Sequence, residues 1–282
     1  MRIKSIPALR LERFGKLRRL GLRQNFISSI ELPTCFASTL EELELYDNLL
    51  KHMGGLEEFT ELNNLDLSYN KFTRIKHLEN LKKLEYVYFV QNRISKIEGL
   101  DELTELKYLE LGANRIREIA GLEKLEKLEQ LWLGQNKITE LKGLSMLHNL
   151  RTLSIQANRL DSLSGIEALP NLTELYVSDN RIPSLEPLAA ITKLDILDFQ
   201  SNPIKSLAGL ERLNLLENVW ASNCQIDSFQ EIERVLKDKE KLEEVYFEGN
   251  PVQKQGAVLY RNKVKLALPQ VIKIDAAYVK TT

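Results

Sequence analysis

Residues 106–119 read LKYLELGANRIREI, and versions of this stretch recur along almost the whole chain. The shared pattern is LxxLxLxxNxIxxI, in which the Asn, here Asn114, is the easiest position to follow. The step between equivalent positions is 22 residues from Asn48 to Cys224. The marked positions are Asn25, Asn48, Asn70, Asn92, Asn114, Asn136, Asn158, Asn180, Asn202, Cys224 and Asn250. Fixed periods of about 20 to 50 residues are typical of solenoids, in which each unit stacks on its neighbours.

The pattern within one period is typical of a leucine-rich repeat. Leu109 and Leu111 alternate with polar residues, which predicts a short strand with one buried face. The Asn amide should satisfy backbone groups at the turn, and the thiol of Cys224 replaces it once. Apolar residues then follow at intervals near three, which predicts a 3₁₀ or short helical return. We therefore predict an α/β leucine-rich-repeat solenoid that is curved, with a parallel sheet on its concave face and 3₁₀ or short helices on its convex face.

Six glycines lie seven residues after the marked position, where we expect a conformation or a close approach that only Gly permits. They are Gly55, Gly99, Gly121, Gly143, Gly165 and Gly209. At the start, Ile3, Ile6 and Leu9 fit a repeat whose Asn position would be Met1. The chain therefore begins inside a repeat, and we expect residues to precede Met1 in the natural protein.

Four extra residues before Asn250 lengthen one return segment and predict an amphipathic helix over residues 229–242. Its inward residues should be Ile232, Val235 and Leu236. The remaining sequence fits a cap on the last repeat. We predict a solenoid over residues 1–250, with a partial first repeat and eleven repeats, and a cap over residues 251–282.

Composition excludes several classes of protein. The 282 residues carry a net charge of −1, so no global field favours nucleic acid or an anionic membrane. No run approaches the roughly 18 apolar residues of a membrane helix. The two cysteines, Cys35 and Cys224, form no disulfide framework, and the N-terminus lacks an apolar secretory stretch. We expect a nuclear and cytoplasmic protein that is monomeric when alone.

Three positions per repeat, six, four and two residues before the Asn, should project from the concave strands into solvent. Eight aromatic residues occupy these positions, among them both tryptophans: Tyr46, Tyr86, Tyr88, Tyr108, Trp132, Tyr176, Trp220 and Tyr246. The same positions hold eight acids and only two bases, Arg19 and Arg23. A nucleic-acid groove needs Lys and Arg with its aromatics. This face instead favours a basic, partly apolar protein partner, although ladders of packed rings alone would also explain the aromatics.

The sequence shows no sign of catalysis. His52, His77 and His148 fall at different repeat offsets, and no His/Cys spacing fits a zinc site. No Gly-rich loop has the spacing that cradles phosphate. We therefore predict a protein that is not an enzyme and has no cofactor and no metal.

The chain resembles the leucine-rich-repeat regulatory subunits of type 1 serine/threonine protein phosphatase over essentially its whole length. The sequence cues are LENVWASN at 216–223, LEEVYFEGNP at 242–251, and the cap residues Tyr260, Arg261, Leu268, Pro269, Ile274 and Asp275. The resemblance implies binding of the phosphatase catalytic subunit through the concave face. It also implies a role in phosphatase assembly or activity, together with a small inhibitory protein.

The resemblance carries seven contacts over to this chain: Asp66, Tyr88, Glu110, Trp132, Asp198, Trp220 and Tyr246. Tyr88 stands where the family often has Phe. To these we add Tyr176 from the same aromatic row, and Asn218, which stands where the family can have Glu. Trp132, Trp220 and Tyr246 should each contribute roughly 2 kcal/mol to binding.

Two other functions remain open from the sequence. One is a different intracellular scaffold with the same repeats, of the spliceosomal or axonemal type, that binds another protein. The other is a secreted adhesion protein, as in bacterial internalins, against which the missing signal peptide and Cys-stapled cap argue.

Overall fold

A computed structural model describes residues 2–279, which form two compact units. Unit 1 comprises residues 2–138 and 142–150, and unit 2 comprises residues 139–141 and 151–279. Each unit is a stack of repeats in which one turn of the chain contributes one short strand. In most strands the central apolar residue is buried and the two flanking residues are half-buried, as the period-two pattern predicts.

Unit 1 contains six parallel strands that lie in chain order. They are β1 (Arg19–Gly21), β2 (Glu42–Glu44), β3 (Asn64–Asp66), β4 (Tyr86–Tyr88), β5 (Tyr108–Glu110) and β6 (Gln130–Trp132). Equivalent residues pair in register, so that Tyr88 lies beside Glu110, and Glu110 lies beside Trp132. Residues at the same position of successive repeats therefore form a row of neighbouring side chains across the sheet.

Unit 2 contains six parallel strands followed by one antiparallel strand. They are β7 (Thr152–Ser154), β8 (Glu174–Tyr176), β9 (Ile196–Asp198), β10 (Asn218–Trp220), β11 (Glu244–Tyr246), β12 (Lys273–Ile274) and β13 (Ala277–Tyr278). Strands β12 and β13 form a hairpin, with the turn residues Asp275 and Ala276 in the left-handed conformation. The parallel sheet that the repeats predict is confirmed in both units.

The return segments are short, as predicted. Five are 3₁₀ helices: Pro7–Leu9, Leu11–Arg13 and Thr34–Phe36 in unit 1, and Ile166–Ala168 and Glu186–Ala190 in unit 2. Other returns are successive tight turns, such as the one in which the N–H of Leu125 donates to the carbonyl of Leu122 at 3.0 Å. Their apolar residues recur every three positions, and almost all of them are fully buried.

Unit 2 also contains three α-helices, α1 (Phe229–Leu236), α2 (Pro251–Lys254) and α3 (Ala257–Ala267). No helix among residues 2–279 is long and apolar enough to cross a membrane. The predicted helix over residues 229–242 exists, but its predicted length was wrong because it ends at Leu236. Its inward residues are those predicted, Ile232, Val235 and Leu236. After the helix, the side chain of Lys239 is buried and donates to the carbonyl of Glu211 at 3.3 Å, which fits a turn and not a further helical turn.

The marked Asn side chains form a buried ladder, which confirms their predicted role. The Nδ2 of Asn114 donates to the carbonyls of Phe89 (2.8 Å), Leu111 (3.0 Å) and Gly112 (3.2 Å). Its Oδ1 accepts from the N–H of Ile94 at 3.0 Å. Because Phe89 and Ile94 belong to the preceding repeat, each Asn joins two successive repeats.

Cys224 occupies the same ladder position in unit 2. Its Sγ donates to the carbonyls of Phe199 at 3.4 Å and Ser222 at 3.7 Å, and its side chain is buried. Burial raises the pKa of the thiol to about 11, so the group stays protonated and can donate. Sulfur is a weaker hydrogen-bonding atom than the amide nitrogen and oxygen, so this rung is weaker than an Asn rung.

The predicted role of the glycines is also confirmed. Gly121 has φ +70°, and a Cβ there would lie 2.8 Å from the carbonyl oxygen of Ile97. Both the conformation and the close approach therefore require Gly. At the start of the chain, the N–H of Ile3 donates to the Oδ1 of Asn25 at 2.7 Å. This bond is equivalent to the one that the N–H of Ile94 donates to Asn114, so the ladder extends to the first described residues.

The acidic and aromatic strand faces

Unit 1 presents aromatic and acidic side chains on the sheet face that is turned away from the core. We call the group the unit 1 patch: Asp66, Tyr86, Tyr88, Tyr108, Glu110 and Trp132. All lie on β3 to β6, four or six residues before the ladder Asn. The apolar residues between them are fully buried, so the strand alternation alone directs the patch side chains outward.

The rings of the unit 1 patch pack against one another, with Tyr108 at the centre. Its ring centroid lies 4.9 Å from that of Tyr88, 6.4 Å from Tyr86 and 6.3 Å from Trp132. These are ordinary spacings for tilted aromatic pairs, which are favourable by about 0.5–1.5 kcal/mol each. The rings of unit 1 are therefore in contact across three successive strands.

Glu110 lies within this aromatic group. The hydroxyl of Tyr108 donates to its Oε2 at 3.2 Å. Burial raises the pKa of Glu110 above its usual range; the hydrogen bond from Tyr108 opposes that shift, and the charge of Asp66 adds to it. Burial also raises the pKa values of Tyr88 and Tyr108. The patch thus holds a partly desolvated carboxyl group that a cation would stabilise in its charged form.

Asp66 lies at one end of the unit 1 patch, next to basic residues. Its Oδ1 accepts from the N–H of Ser68 at 2.9 Å, and its Oδ2 lies 3.9 Å from Nη2 of Arg23. Arg23 also pairs with Glu44 at 2.7 Å. Arg23 therefore offsets part of the negative charge at this end.

Unit 2 presents a second group, the unit 2 patch: Tyr176, Asp198, Asn218, Trp220 and Tyr246. The ring of Trp220 lies 6.1 Å from that of Tyr176 and 6.2 Å from that of Tyr246. The three rings come from β8, β10 and β11, so the rings of Tyr176 and Trp220 meet across the intervening strand β9. Asn218 is half-buried on β10, between Ile196 and Glu244 on the neighbouring strands.

Asp198 lies on β9 between the two strands that carry Tyr176 and Trp220, and it is only 7% exposed. Its Oδ1 accepts from both the N–H and the Nε2 of Gln200 at 3.1 Å. The expectation that every such strand position faces solvent is therefore wrong for Asp198. The side chain of Asp198 is short, and the large rings of Tyr176 and Trp220 on the two neighbouring strands contact each other beside it. Ser154 is buried at the equivalent position of β7.

Most polar and charged groups beside the rings of the unit 2 patch have a partner. Lys273 lies 3.0 Å from Oε2 of Glu244, and its Nζ is 5.8 Å from the centre of the Tyr246 ring. The hydroxyl of Tyr176 donates to Glu174 at 3.2 Å, and burial raises its pKa to about 12. The buried Nε1 of Trp220 has no hydrogen-bond acceptor among the described residues.

The repeats match a known family. The family described as "Leucine Rich repeats (2 copies)" matches residues 60–102, 104–146, 126–168, 148–190 and 170–212, which is more than half of the chain. The chain belongs to the leucine-rich repeat family.

Two relatives with this repeat come from yeasts. A Saccharomyces cerevisiae protein named Protein phosphatase 1 regulatory subunit SDS22 is 45% identical over 83 residues, which are 29% of this chain and 25% of that protein. A Schizosaccharomyces pombe protein of the same name is 57% identical over 53 residues, 19% of this chain and 16% of that protein. The matched segments thus span a quarter or less of these relatives.

Solved leucine-rich-repeat structures share the fold. A leucine-rich-repeat protein of Leptospira interrogans gives a TM-score of 0.72 at 24% identity, covering 93% of this chain and 73% of that one. An internalin of Listeria monocytogenes gives a TM-score of 0.65 at 20% identity, covering 95% of this chain and 89% of that one. At these identities the similarity shows the fold alone.

One aromatic residue of the leucine-rich repeats was missed by the sequence reasoning. Tyr69 is 43% exposed, and its ring centroid lies 4.7 Å from that of Tyr46. It directly precedes Asn70, where the backbone is left-handed, with φ +55°. The residue before the marked position is small or polar in the other repeats, such as Gln91 and Ala113, so the aromatic residue was the available sequence signal.

The leucine-rich repeats bring no metal-binding group together in the described part of the chain. Among residues 2–279, no cluster of three or more His, Cys, Asp or Glu side chains has a geometry that could hold a metal ion. His77 lies 3.7 Å from Glu57, as a pair and not as part of a larger cluster.

Proposed function

We propose that this chain is a non-catalytic regulatory subunit that binds the catalytic subunit of type 1 serine/threonine protein phosphatase and controls its assembly or activity. The unit 1 and unit 2 patches are the proposed binding surfaces. The observation that carries the proposal is the 45% and 57% identity to segments of two yeast proteins named as regulatory subunits of that phosphatase.

The chemistry of both patches supports a protein partner with a basic and partly apolar surface. Partly exposed aromatic side chains supply contact area at low cost in side-chain entropy, and Trp and Tyr are enriched among residues that dominate binding energy. Glu110 in unit 1 would meet a cationic group of the partner, whereas Asp198 in unit 2 lies under the rings of Tyr176 and Trp220. A carboxylate that is already partly desolvated loses less hydration when the partner covers it.

The proposed role also includes a composition of the complex and a location in the cell. We propose a ternary complex with a small inhibitory protein, a monomeric state for the chain alone, and activity in nucleus and cytoplasm. These proposals rest on the resemblance of the sequence to the phosphatase regulatory subunits.

The test is calorimetric titration of the full chain with the phosphatase catalytic subunit, in metal-loaded and metal-stripped forms. The unmutated chain is compared with a Trp132→Ala, Trp220→Ala double variant and with Phe14→Ala, which removes an exposed ring outside both patches. We expect tight binding by the unmutated chain and the control, and a loss of roughly 3 kcal/mol or more for the double variant.

The two parts of the proposal can fail separately. If the unmutated chain binds neither form of the catalytic subunit, the proposed function is wrong. If the chain binds and the folded double variant binds equally well, the partner is right and the patches are not the binding surface.

A further inference from the structure

The cap region differs in charge from the rest of the chain. Residues 251–282 contain six Lys or Arg and one Asp, whereas the whole chain has a net charge of −1. Helix α3 carries Arg261, Lys263 and Lys265 and no acidic residue. Such an asymmetry in a nearly neutral chain indicates a local surface that attracts negative charge.

The cap region also exposes large apolar side chains. Val258 is 94% exposed, Leu266 79%, Tyr278 76%, Leu259 56% and Ile272 49%. No other large hydrophobic residue in the described part of the chain is more than 44% exposed. Exposed apolar side chains scattered singly are normal, but five of them within one short basic segment indicate a binding surface.

A groove of about 470 Å³ runs between α3 and the β12–β13 hairpin. Its lining includes Arg261, Asn262, Lys265, Ile274, Ala277 and Tyr278, without any acidic side chain. Arg261 fixes the two walls relative to each other. Its guanidinium donates to the carbonyls of Ile274 at 2.7 Å and Ala277 at 2.8 Å, so the groove is formed before any ligand arrives.

We propose that this cap groove binds an acidic peptide segment of a partner protein. An apolar side chain of the peptide lies against Tyr278 and Val279, and its carboxylates face Arg261 and Lys265. The charge of the groove selects an acidic ligand, and its apolar wall selects one with an aliphatic or aromatic residue among the acids. Fixed walls on two sides suit an extended segment better than the broad surface of a membrane.

The cap groove uses none of the residues of the unit 1 or unit 2 patch. The proposal therefore does not depend on the phosphatase function, and a variant of the groove should leave phosphatase binding unchanged. This independence also makes the two proposals separable in experiment.

The test begins with a random twelve-residue peptide library displayed against the full chain. We expect enriched sequences in which several Asp or Glu flank an aliphatic or aromatic residue. A synthetic peptide of that sequence should bind at least about tenfold more weakly to a Lys265→Glu, Tyr278→Ser variant. The matched control is Lys205→Glu, Lys241→Glu, which changes two exposed lysines elsewhere in unit 2 and should bind as the unmutated chain does.

Folding of each variant is checked by circular dichroism and thermal unfolding. Asn262→Asp, at an exposed groove position, serves as a second variant if the first does not fold, and it should also weaken binding. Failure to enrich acidic and apolar peptides, or equal binding of the peptide to the groove variants, would overturn the proposal.

Two other occupants are tested in parallel. Binding to vesicles of phosphatidylcholine with about 30% phosphatidylserine that the groove variants lose, without peptide enrichment, would assign the surface to a membrane. Self-association of the unmutated chain in sedimentation that the groove variants lose, again without enrichment, would assign it to a second copy of the chain. Either result overturns the peptide proposal.

Discussion

Unit 1 and unit 2 carry aromatic residues at the same repeat position, yet the two units hold the rings differently. In unit 1, Tyr86 and Tyr108 occupy the row six residues before the Asn, so that rings contact rings on successive strands. In unit 2 that row supplies Ile196 and Asn218, and the rings of Tyr176 and Trp220 meet instead across Asp198. The repeat position thus determines which face of the sheet a residue occupies. The residues of the row six before the Asn determine which rings it contacts there.

The two units also differ in their ladders. Unit 1 uses Asn at every described rung, from Asn25 to Asn136, whereas unit 2 has Cys224 at one. An Asn such as Asn114 makes four hydrogen bonds at a buried site, and the thiol makes two longer ones. The same backbone path is therefore held more weakly at one point of unit 2.

The largest expected effect is on the free energy of unfolding, and it compares an Asn rung of unit 1 with the Cys224 rung of unit 2. Asn114→Ala should lower the free energy of unfolding by roughly 3 kcal/mol, because it leaves buried carbonyls and an N–H without partners. Cys224→Ala should lower it by about 1 kcal/mol, since less hydrogen bonding is lost. Urea unfolding followed by circular dichroism measures both. Equal losses for the two variants would show that the thiol rung is not weaker.

The second effect compares the tryptophans in phosphatase binding. Trp132→Ala and Trp220→Ala should each weaken binding by roughly 2 kcal/mol, or about thirtyfold in Kd. We expect the larger loss for Trp220→Ala, because its ring contacts those of Tyr176 and Tyr246 and its removal leaves both less well held. Calorimetry of the single variants gives the order, and a larger loss for Trp132→Ala would contradict the role of Trp220 in holding the neighbouring rings.

The third effect concerns ring packing. Tyr108→Ala removes contacts with three rings and should lower the free energy of unfolding by roughly 2 kcal/mol. Tyr176→Ala removes the contact of that ring with Trp220 and should also lower it, by roughly 1 kcal/mol. Tyr108→Phe, which keeps the ring and loses only the hydrogen bond to Glu110, is the matched control. If Tyr108→Ala costs no more than that control, the ring contacts do not stabilise unit 1.

The smallest effect separates binding from stability at Glu110. Burial raises the pKa of this carboxyl in the folded state, so stability falls as pH rises from the usual value of 4.5 through the raised pKa. Glu110→Gln abolishes that fall. Unfolding from pH 4 to 8 should show the variant at least as stable as the unmutated chain near pH 7, while its binding to the phosphatase is weaker. A variant that is less stable at pH 7 would show that the carboxylate supports the fold.

Much of the fold could be predicted because its determinants are local and periodic. The spacing of residues such as Asn114 and Gly121 reports hydrogen bonds and close approaches that recur in many of the repeats. The length of α1 could not be read in the same way, since its end is accompanied by the burial of Lys239 against a carbonyl 28 residues earlier in the chain. Among residues 2–279, no other lysine is buried in this way.

The candidate site was predictable in outline only. Strand alternation places Tyr88, Trp132 and Trp220 on the outer face, as expected. It does not reveal that Asp198 is covered, because cover depends on ring conformations on two other strands. Tyr69 was missed because it lies one residue before the Asn, outside the three strand positions that alternation selects.

The Asn ladder has a consequence for how each unit opens. An Asn rung such as that of Asn114 joins a carbonyl and an N–H of one repeat to the side chain of the next, so a repeat cannot detach without breaking the rung of its neighbour. Opening within a unit should therefore spread from repeat to repeat as a linear cooperative chain. In hydrogen exchange, amides near the Cys224 rung should open at lower free energy than those near Asn114. We therefore expect the local opening of unit 2 to begin at the repeat that carries the thiol of Cys224.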